Sequence, residues 1–128
     1  MMRPIAFPLL TLAAVALLGT AAARNDDKVP AAVPDGKPLE CLQTTQIRDT
    51  QVRSNQVIDF VTNGGKVYRN TLDTPCPQLG YEKRFSHKSP LDQYCSTDTI
   101  TVLLNQGGLR PGATCGLGQF QPVKLVKH

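Results

Sequence analysis

The chain has 128 residues, with 14 Lys and Arg against 10 Asp and Glu, which gives a formal net charge of +4. This length suits one domain and not two. Nucleic-acid binders are usually far more basic on one face, so no nucleic-acid partner is expected. Trp is absent and aromatic residues make up only 5% of the chain, so the core must consist mainly of Val, Ile and Leu.

The N-terminal segment 1–23 has the pattern of a secretory signal peptide. Arg3 precedes an apolar run from Ile5 to Leu18, and a small-residue segment, GTAAA, follows it. A basic end, an apolar middle and an A-x-A-like site define such a leader, whereas a membrane span needs roughly 20 apolar residues. We expect cleavage after Ala23, export to the periplasm or out of the cell, and no membrane span in the mature form.

The rest of the chain divides into a linker, a domain and a short C-terminal tail. Residues 24–39 carry three prolines and a glycine without apolar periodicity, which predicts a flexible linker. The domain is predicted over 40–123. Residues 124–128 are expected to form a C-terminal tail that frays.

A hairpin is predicted around the turn Asn-Gly-Gly at 63–65, because these residues supply the backbone angles that tight hairpin turns require. Two registers fit the flanking segments. A central Gly-Gly turn would place Asp59 opposite Asn70, and a central Asn-Gly turn would pair Phe60 with Val67. The sequence leaves both open.

Short apolar stretches alternate with turn residues in the rest of the domain. In DTITVLL, at 98–104, the side chains of Ile100, Val102 and Leu104 share one face with Asp98, as in a half-buried strand. The pattern predicts a mostly β fold, a small barrel or rolled antiparallel sheet of five or six short strands.

Only SPLDQY, at 89–94, has the features of a helical turn. Ser89 suits the N-cap, Pro90 suits the first helical position, and Asp92 is favourable near the positive end of a helix. One short helical turn is therefore predicted there.

The mature chain carries four cysteines, Cys41, Cys76, Cys95 and Cys115. An even number in a short exported protein predicts two disulfides, and the absence of C-x-x-C pairs argues against a metal or redox site. Of the three possible pairings, we favour Cys76 with Cys95 and Cys41 with Cys115. The first would close the polar excursion 77–94, and the second would join the first strand region to the last.

The stretch RPGATCGLGQF, at 110–120, crowds small residues around Cys115. It lacks the third glycine of a dinucleotide-binding loop and the Gly-Lys-Ser/Thr of a phosphate loop, so no cofactor is expected. It is interpreted as a last strand in which Gly116 and Gly118 mark a bend or a close approach of another backbone.

Seven pieces of the chain carry a resemblance to a known family. They are Cys41, Ile47-Arg48, GGKVYRNTL at 64–72, CPQLG at 76–80, RFS at 84–86, YCSTDTITVL at 94–103 and GATCGLGQF at 112–120. In these pieces the chain resembles an uncharacterised family of short secreted proteobacterial proteins, classed only as a domain of unknown function. The resemblance implies a bacterial envelope location and the same disulfide pair, and it implies no activity. Some relatives carry a lipid-anchoring cysteine at the signal site; this chain has Ala and Gly there, so anchoring is not implied.

The best candidate for ligand contact is the segment YEKRFSHKS, at 81–89. Its basic side chains, Lys83, Arg84, His87 and Lys88, stand beside aromatic ones, and such a patch can bind an anionic envelope component by charge and stacking. The alternative is an ordinary solvated face. If the patch does bind a partner, the alternative to an anionic envelope component is another protein.

Catalytic residues are not assigned. His87 could act as a general base, but nothing in the sequence identifies a carboxylate that would orient it. Asp59 and Asp98 lie in strand-like stretches, where a buried carboxylate needs a partner such as Arg48 or Arg69, or the amide of Asn70. A structural ion pair or an outward-facing carboxylate is the simpler interpretation.

Three functions are carried forward. The favoured one is a non-catalytic binding or interaction module of the envelope or the secreted fraction. The alternative is an inhibitor of a protease or a lysozyme-type hydrolase that presents the loop 77–94. The least favoured is a small hydrolase that uses His87.

Overall fold

A computed structural model describes residues 29–127. The predicted signal peptide and the first residues of the predicted linker lie outside this range. Within it, no helix has the length and apolar character needed to cross a membrane. The strands are β1 (Ala32–Pro34), β2 (Cys41–Gln43), β3 (Ile47–Val52), β4 (Val57–Thr62), β5 (Val67–Thr71), β6 (Phe85–His87), β7 (Gln93–Cys95), β8 (Thr99–Asn105), β9 (Leu109–Gly116) and β10 (Phe120–Leu125).

The strands form three antiparallel sheets. The largest has the order β1-β10-β5-β4-β3, the second has the order β6-β8-β9, and β2 pairs with β7 alone. The predicted mostly β fold with two disulfides and one short helix is confirmed, although the described part of the chain contains ten strands and no closed barrel. The fully buried side chains pack between the sheets; the largest are Phe60, Phe120, Ile58, Leu72, Leu79, Ile100 and Val102.

The predicted alternation in β8 is confirmed. Ile100 and Val102 are buried, and Leu104 packs against the same core. Because successive side chains of a strand point to opposite faces, Thr101, between Ile100 and Val102, lies on the outer face, where its hydroxyl bonds that of Thr114 at 2.9 Å.

The β4–β5 hairpin has neither of the two registers that the sequence left open. Its loop has three residues, because the amide of Thr62 donates to the carbonyl of Lys66 at 2.9 Å. Within the loop, the amide of Gly65 donates to the carbonyl of Thr62. Gly65 has φ +90°, as expected where a type I turn is followed by a left-handed residue. The extra loop residue places Asp59 opposite Arg69.

The predicted flexible linker is wrong for its described part. Strand β1 pairs with β10, with Val33 opposite Lys124, and Leu39 and Phe120 exchange two backbone hydrogen bonds of 2.8 Å. Backbone pairing of this kind requires no apolar periodicity, which explains why the pattern did not reveal it. The ordered domain therefore begins before residue 40, and β10 continues into the predicted tail at 124–128.

The helical turn predicted at 89–94 is absent. The helix α1 lies instead at Leu79–Glu82, where Leu79 is completely buried. Residues 93–95 are extended because β7 pairs with β2. The hydroxyl of Ser89 does accept a hydrogen bond from the amide of Leu91 at 3.1 Å, but the turn does not continue into a helix.

The favoured disulfide pairing is also wrong. The bonds join Cys41 to Cys95 and Cys76 to Cys115. Cys41 and Cys95 lie directly opposite each other on β2 and β7, with their Cα atoms 4.0 Å apart. In the chain-entropy model, loops of these lengths contribute about 4 kcal/mol each to stability.

Of the two glycines near Cys115, Gly116 is the last residue of β9 and Gly118 lies in the connection to β10. The predicted close approach is at Gly118, where an added Cβ would collide with the carbonyl oxygen of Thr71. The side chain of Asn70 holds Gly118 in place. Its Nδ2 donates to the carbonyl of Gly118 at 2.7 Å, and its Oδ1 accepts from the backbone amide of Gly118 at 2.8 Å. The small residue is required by packing, not by a ligand.

Candidate functional site

A buried ion cluster lies on the face of the large sheet opposite the core. Asp59 is completely buried although its neighbours Ile58 and Phe60 point into the core. Arg69 donates from Nε to Oδ1 at 2.8 Å and from Nη2 to Oδ2 at 2.9 Å, and Arg53 donates from Nε to Oδ2 at 2.9 Å. Of the partners that the sequence suggested for Asp59, Arg69 is confirmed. Two guanidinium groups share one carboxylate, so the cluster keeps one unbalanced positive charge.

A cavity of about 380 Å³ opens beside this cluster. It lies between the turn that follows β3 and the helix α1, so residues distant in sequence meet there. None of its described lining residues carries a carboxylate, and two are cations. The lining residues are Arg53, Ser54, Asn55, Gln78, Gly80, Tyr81 and Lys83.

The helix α1 is held rigidly against the turn after β3. The amide of Gly80 donates to Oδ1 of Asn55 at 2.7 Å, and a Cβ on Gly80 would come within 3.0 Å of the Asn55 backbone nitrogen. Gln78 and Lys83 flank the helix with φ values of 68° and 57°. These left-handed residues turn the chain sharply at both ends of the helix, so that Tyr81 and Lys83 reach the cavity.

The four predicted basic contact residues have different surroundings. Lys83 lines the cavity, whereas Lys88 is exposed outside it. Arg84 pairs with Glu82, with 2.6 Å between Nη1 and Oε1. His87 belongs to β6 and lies opposite Ile100 of β8. Only Lys83 of the four is placed to meet a ligand in this cavity.

His87 does have a carboxylate partner, which the sequence did not reveal. Its Nε2 lies 2.9 Å from Oδ2 of Asp98, and the same oxygen accepts from the amide of Cys95 at 2.8 Å. The hydrogen bond from His87 holds the pKa of Asp98 below its usual range. The His87 ring stacks on Tyr94, with centroids 4.0 Å apart, and its side chain is only 7% exposed. Neither member of the pair lines the cavities described in this section.

The excursion 77–94 is not one protruding loop, because it contains α1, β6 and the start of β7. Residues 88–92 connect β6 to β7, and Leu91 there is 60% exposed; Pro77, Gln78, Tyr81 and Lys83, around α1, are exposed as well. The segment is anchored on one side by β6 and on the other by β7, which the Cys41–Cys95 bond ties to β2.

A second, more apolar cavity of about 610 Å³ lies beside the Cys76–Cys115 bond. Pro75 and Pro77 form one wall, and residues 113–117 at the end of β9 form the other. Among the described residues, no group of three or more His, Cys, Asp or Glu side chains is placed to hold a metal ion.

The chain matches no family model, no curated protein and no solved structure. The resemblance to a family of short secreted proteins therefore stays a prediction. Sequence reasoning missed Arg53, since a single charged residue in a polar turn gives no signal. Tyr81 and Lys83 did lie in the segment that the pattern singled out.

Proposed function

We propose that this protein is an exported, non-catalytic binding module that takes an anionic ligand in the cavity beside Arg53. The observation that carries the proposal is the charge of the walls: Arg53 and Lys83 are cationic, and none of the described lining residues is acidic. Asp59 does not cancel the charge of Arg53, because Arg69 already balances this carboxylate. Anions bind where hydrogen-bond donors and positive charge converge.

The state of His87 supports a non-catalytic role. A general base must reach the proton that it abstracts, and the His87 side chain is 7% exposed and stacked on Tyr94. Its partner Asp98 is also engaged by the amide of Cys95. The pair joins β6, β7 and the start of β8, which is a structural task.

Export is supported by the leader-like segment 1–23 and by the two disulfides. Disulfides form and persist in oxidising compartments such as the bacterial periplasm or the extracellular space. All four cysteines are consumed in these bonds. An anionic envelope component is therefore the partner that we favour.

The test is a titration of the purified protein with sodium acetate and with an anionic sugar, followed by NMR shifts of the backbone amides. We expect saturable shifts at residues 53–55 and 78–83. Lys83→Glu should weaken binding at least tenfold, because it places a carboxylate among the donors. Lys88→Glu is the matched control, since it makes the same charge change outside the cavity and should alter affinity less than twofold. Absence of saturable binding, or equal losses in the two variants, would overturn the proposal.

A second candidate, inhibition of a protease or a lysozyme-type hydrolase, is favoured by the exposed segment 88–92. It presents Leu91 between two anchored strands, and rigid presentation of an exposed residue reduces the cost of binding. The test is inhibition of a panel of serine proteases and lysozymes by the wild type and by Leu91→Ala. If the wild type inhibits an enzyme of the panel and Leu91→Ala does not, this function is supported. If the wild type inhibits none of them, inhibition of these enzymes is excluded.

A further inference from the structure

We infer that the ligand of the Arg53 cavity is a carboxylate-bearing sugar of the uronic acid class. The inference rests on the proposed function, since it concerns the same cavity. Three observations carry it: which hydrogen-bond donors are already occupied, which donors remain, and where the aromatic ring of Tyr81 lies.

The backbone amides of α1 are not available to a phosphate. The amide of Leu79 donates to Cys76 at 3.2 Å, that of Gly80 to the Asn55 side chain at 2.7 Å, and those of Tyr81 and Glu82 to the carbonyl of Gln78 at 3.2 and 2.9 Å. Phosphate sites at helix starts and in backbone nests depend on such amides. The amides of α1 therefore offer no phosphate site of this kind, and the charged groups that remain in the cavity are side chains.

The two terminal nitrogens of the Arg53 guanidinium remain available to a ligand. Its Nε is engaged by Asp59, but neither Nη1 nor Nη2 donates a hydrogen bond to another residue of the range 29–127. A planar carboxylate accepts two parallel N–H bonds from a guanidinium. Lys83 adds a second cation, whose Nζ has only a long contact of 3.4 Å with the carbonyl of Val52. The charged end of the ligand is therefore placed between Arg53 and Lys83.

Tyr81 supplies an apolar surface next to these cations. It is 84% exposed and takes part in none of the aromatic pairs among the described residues. A tyrosine ring combines an apolar face with a polar tip, so the face of a sugar ring can pack on it while the side-chain amides of Gln78 and Asn55 meet the hydroxyls. The cavity is near the lower end of the range of about 300–1,000 Å³ for ligand sites, which suits one or two sugar rings.

The experiment compares four probes by amide shifts and calorimetry: glucuronate, glucose, acetate and inorganic phosphate. We expect glucuronate to bind at least tenfold more tightly than acetate, phosphate to bind no better than acetate, and glucose to show no saturable shift. Tyr81→Ala should reduce glucuronate affinity to that of acetate while leaving acetate affinity unchanged. Tyr81→Phe, which keeps the ring, should retain most of the glucuronate affinity.

The outcomes separate this inference from the proposed function. If acetate binds in a Lys83-dependent way but glucuronate binds no better, or phosphate binds best, the sugar class is wrong and the anion site stands. If no probe binds, both are wrong. An acidic peptide that binds as tightly as glucuronate would also overturn the sugar class. A trimer of galacturonate that binds more tightly than free galacturonate, measured beside it, identifies a glycan as the source, and equal affinity identifies the free sugar acid.

Discussion

Arg69 lies directly opposite Asp59 in the β4–β5 hairpin and binds its carboxylate through two hydrogen bonds, of 2.8 and 2.9 Å. This contact exists only because the hairpin loop has three residues. In either of the registers with a two-residue turn, Arg69 would stand one position away from Asp59. The hairpin loop thus sets the charge cluster that borders the candidate cavity.

The first prediction concerns the buried carboxylate. Asp59→Asn should lower the free energy of unfolding by about 3 kcal/mol or more, because it leaves two guanidinium groups facing each other without a counter-charge. Urea unfolding measures the loss. Asp49→Asn is the control, since Asp49 is an exposed residue of the adjacent strand and its neutralisation should change stability by less than about 0.5 kcal/mol. A loss below about 1 kcal/mol in Asp59→Asn would contradict the role of the cluster.

The second prediction concerns the close approach at Gly118. Gly118→Ala should destabilise the protein by about 1–3 kcal/mol, because the new methyl group meets the carbonyl of Thr71 and displaces the Asn70 clamp. Gly116→Ala is the matched control, since a Cβ at Gly116 has no neighbour within 4 Å among the described residues. Thermal unfolding of both variants should show a clear loss for the first alone. Equal melting temperatures would show that the backbone yields at Gly118.

A third prediction follows from the His87–Asp98 hydrogen bond, which lowers the pKa of Asp98 below its ordinary value of 3.8. A carboxyl group whose pKa is depressed by folding stabilises the protein above its unfolded pKa, and this contribution disappears as the pH falls through the folded pKa. The stability difference between the wild type and Asp98→Asn should therefore be largest above about pH 4 and shrink at lower pH. Denaturant unfolding at pH 6, 4 and 3 measures it, and a difference that grows on acidification would refute the assigned direction.

The fourth prediction is the order in which the disulfides open. Cys76 is completely buried and only its partner Cys115 is partly exposed, whereas Cys41 and Cys95 are both partly exposed on the small β2–β7 pair. Since thiol exchange requires access to a sulfur atom, mild reduction should open Cys41–Cys95 first. Partial reduction, alkylation and peptide mapping will identify the modified cysteines. The same map of the untreated protein should show Cys41–Cys95 and Cys76–Cys115, and a Cys76–Cys95 peptide would contradict the fold.

Local patterns account for the features that the sequence alone predicted correctly. The alternation of Ile100, Val102 and Leu104 depends only on the two-residue period of a strand, and the Asn-Gly-Gly turn depends on the backbone freedom of its own residues. The number of disulfides follows from cysteine count and compartment. The close approach at Gly118 was likewise indicated by a glycine in a predicted strand, although Gly118 lies in the connection between β9 and β10.

Other features depend on which segments meet in space. The sequence could not show that β2 pairs with β7, and this pairing alone decides the partner of Cys41. Strand β1 was missed because it is held by backbone hydrogen bonds, which leave no mark on side-chain periodicity.

The small mostly β domain, its central hairpin and the presence of two cross-links can be read from the amino-acid sequence, since each of these rests on local periodicity, turn chemistry or composition. The hairpin register, the cysteine partners and the cavity in which Arg53 meets Tyr81 and Lys83 are known only from the fold. Hairpin loops of two and of three residues both suit the Asn-Gly-Gly sequence, and the other two features join residues far apart in the chain, whose geometry is set by the packing of whole sheets against one another.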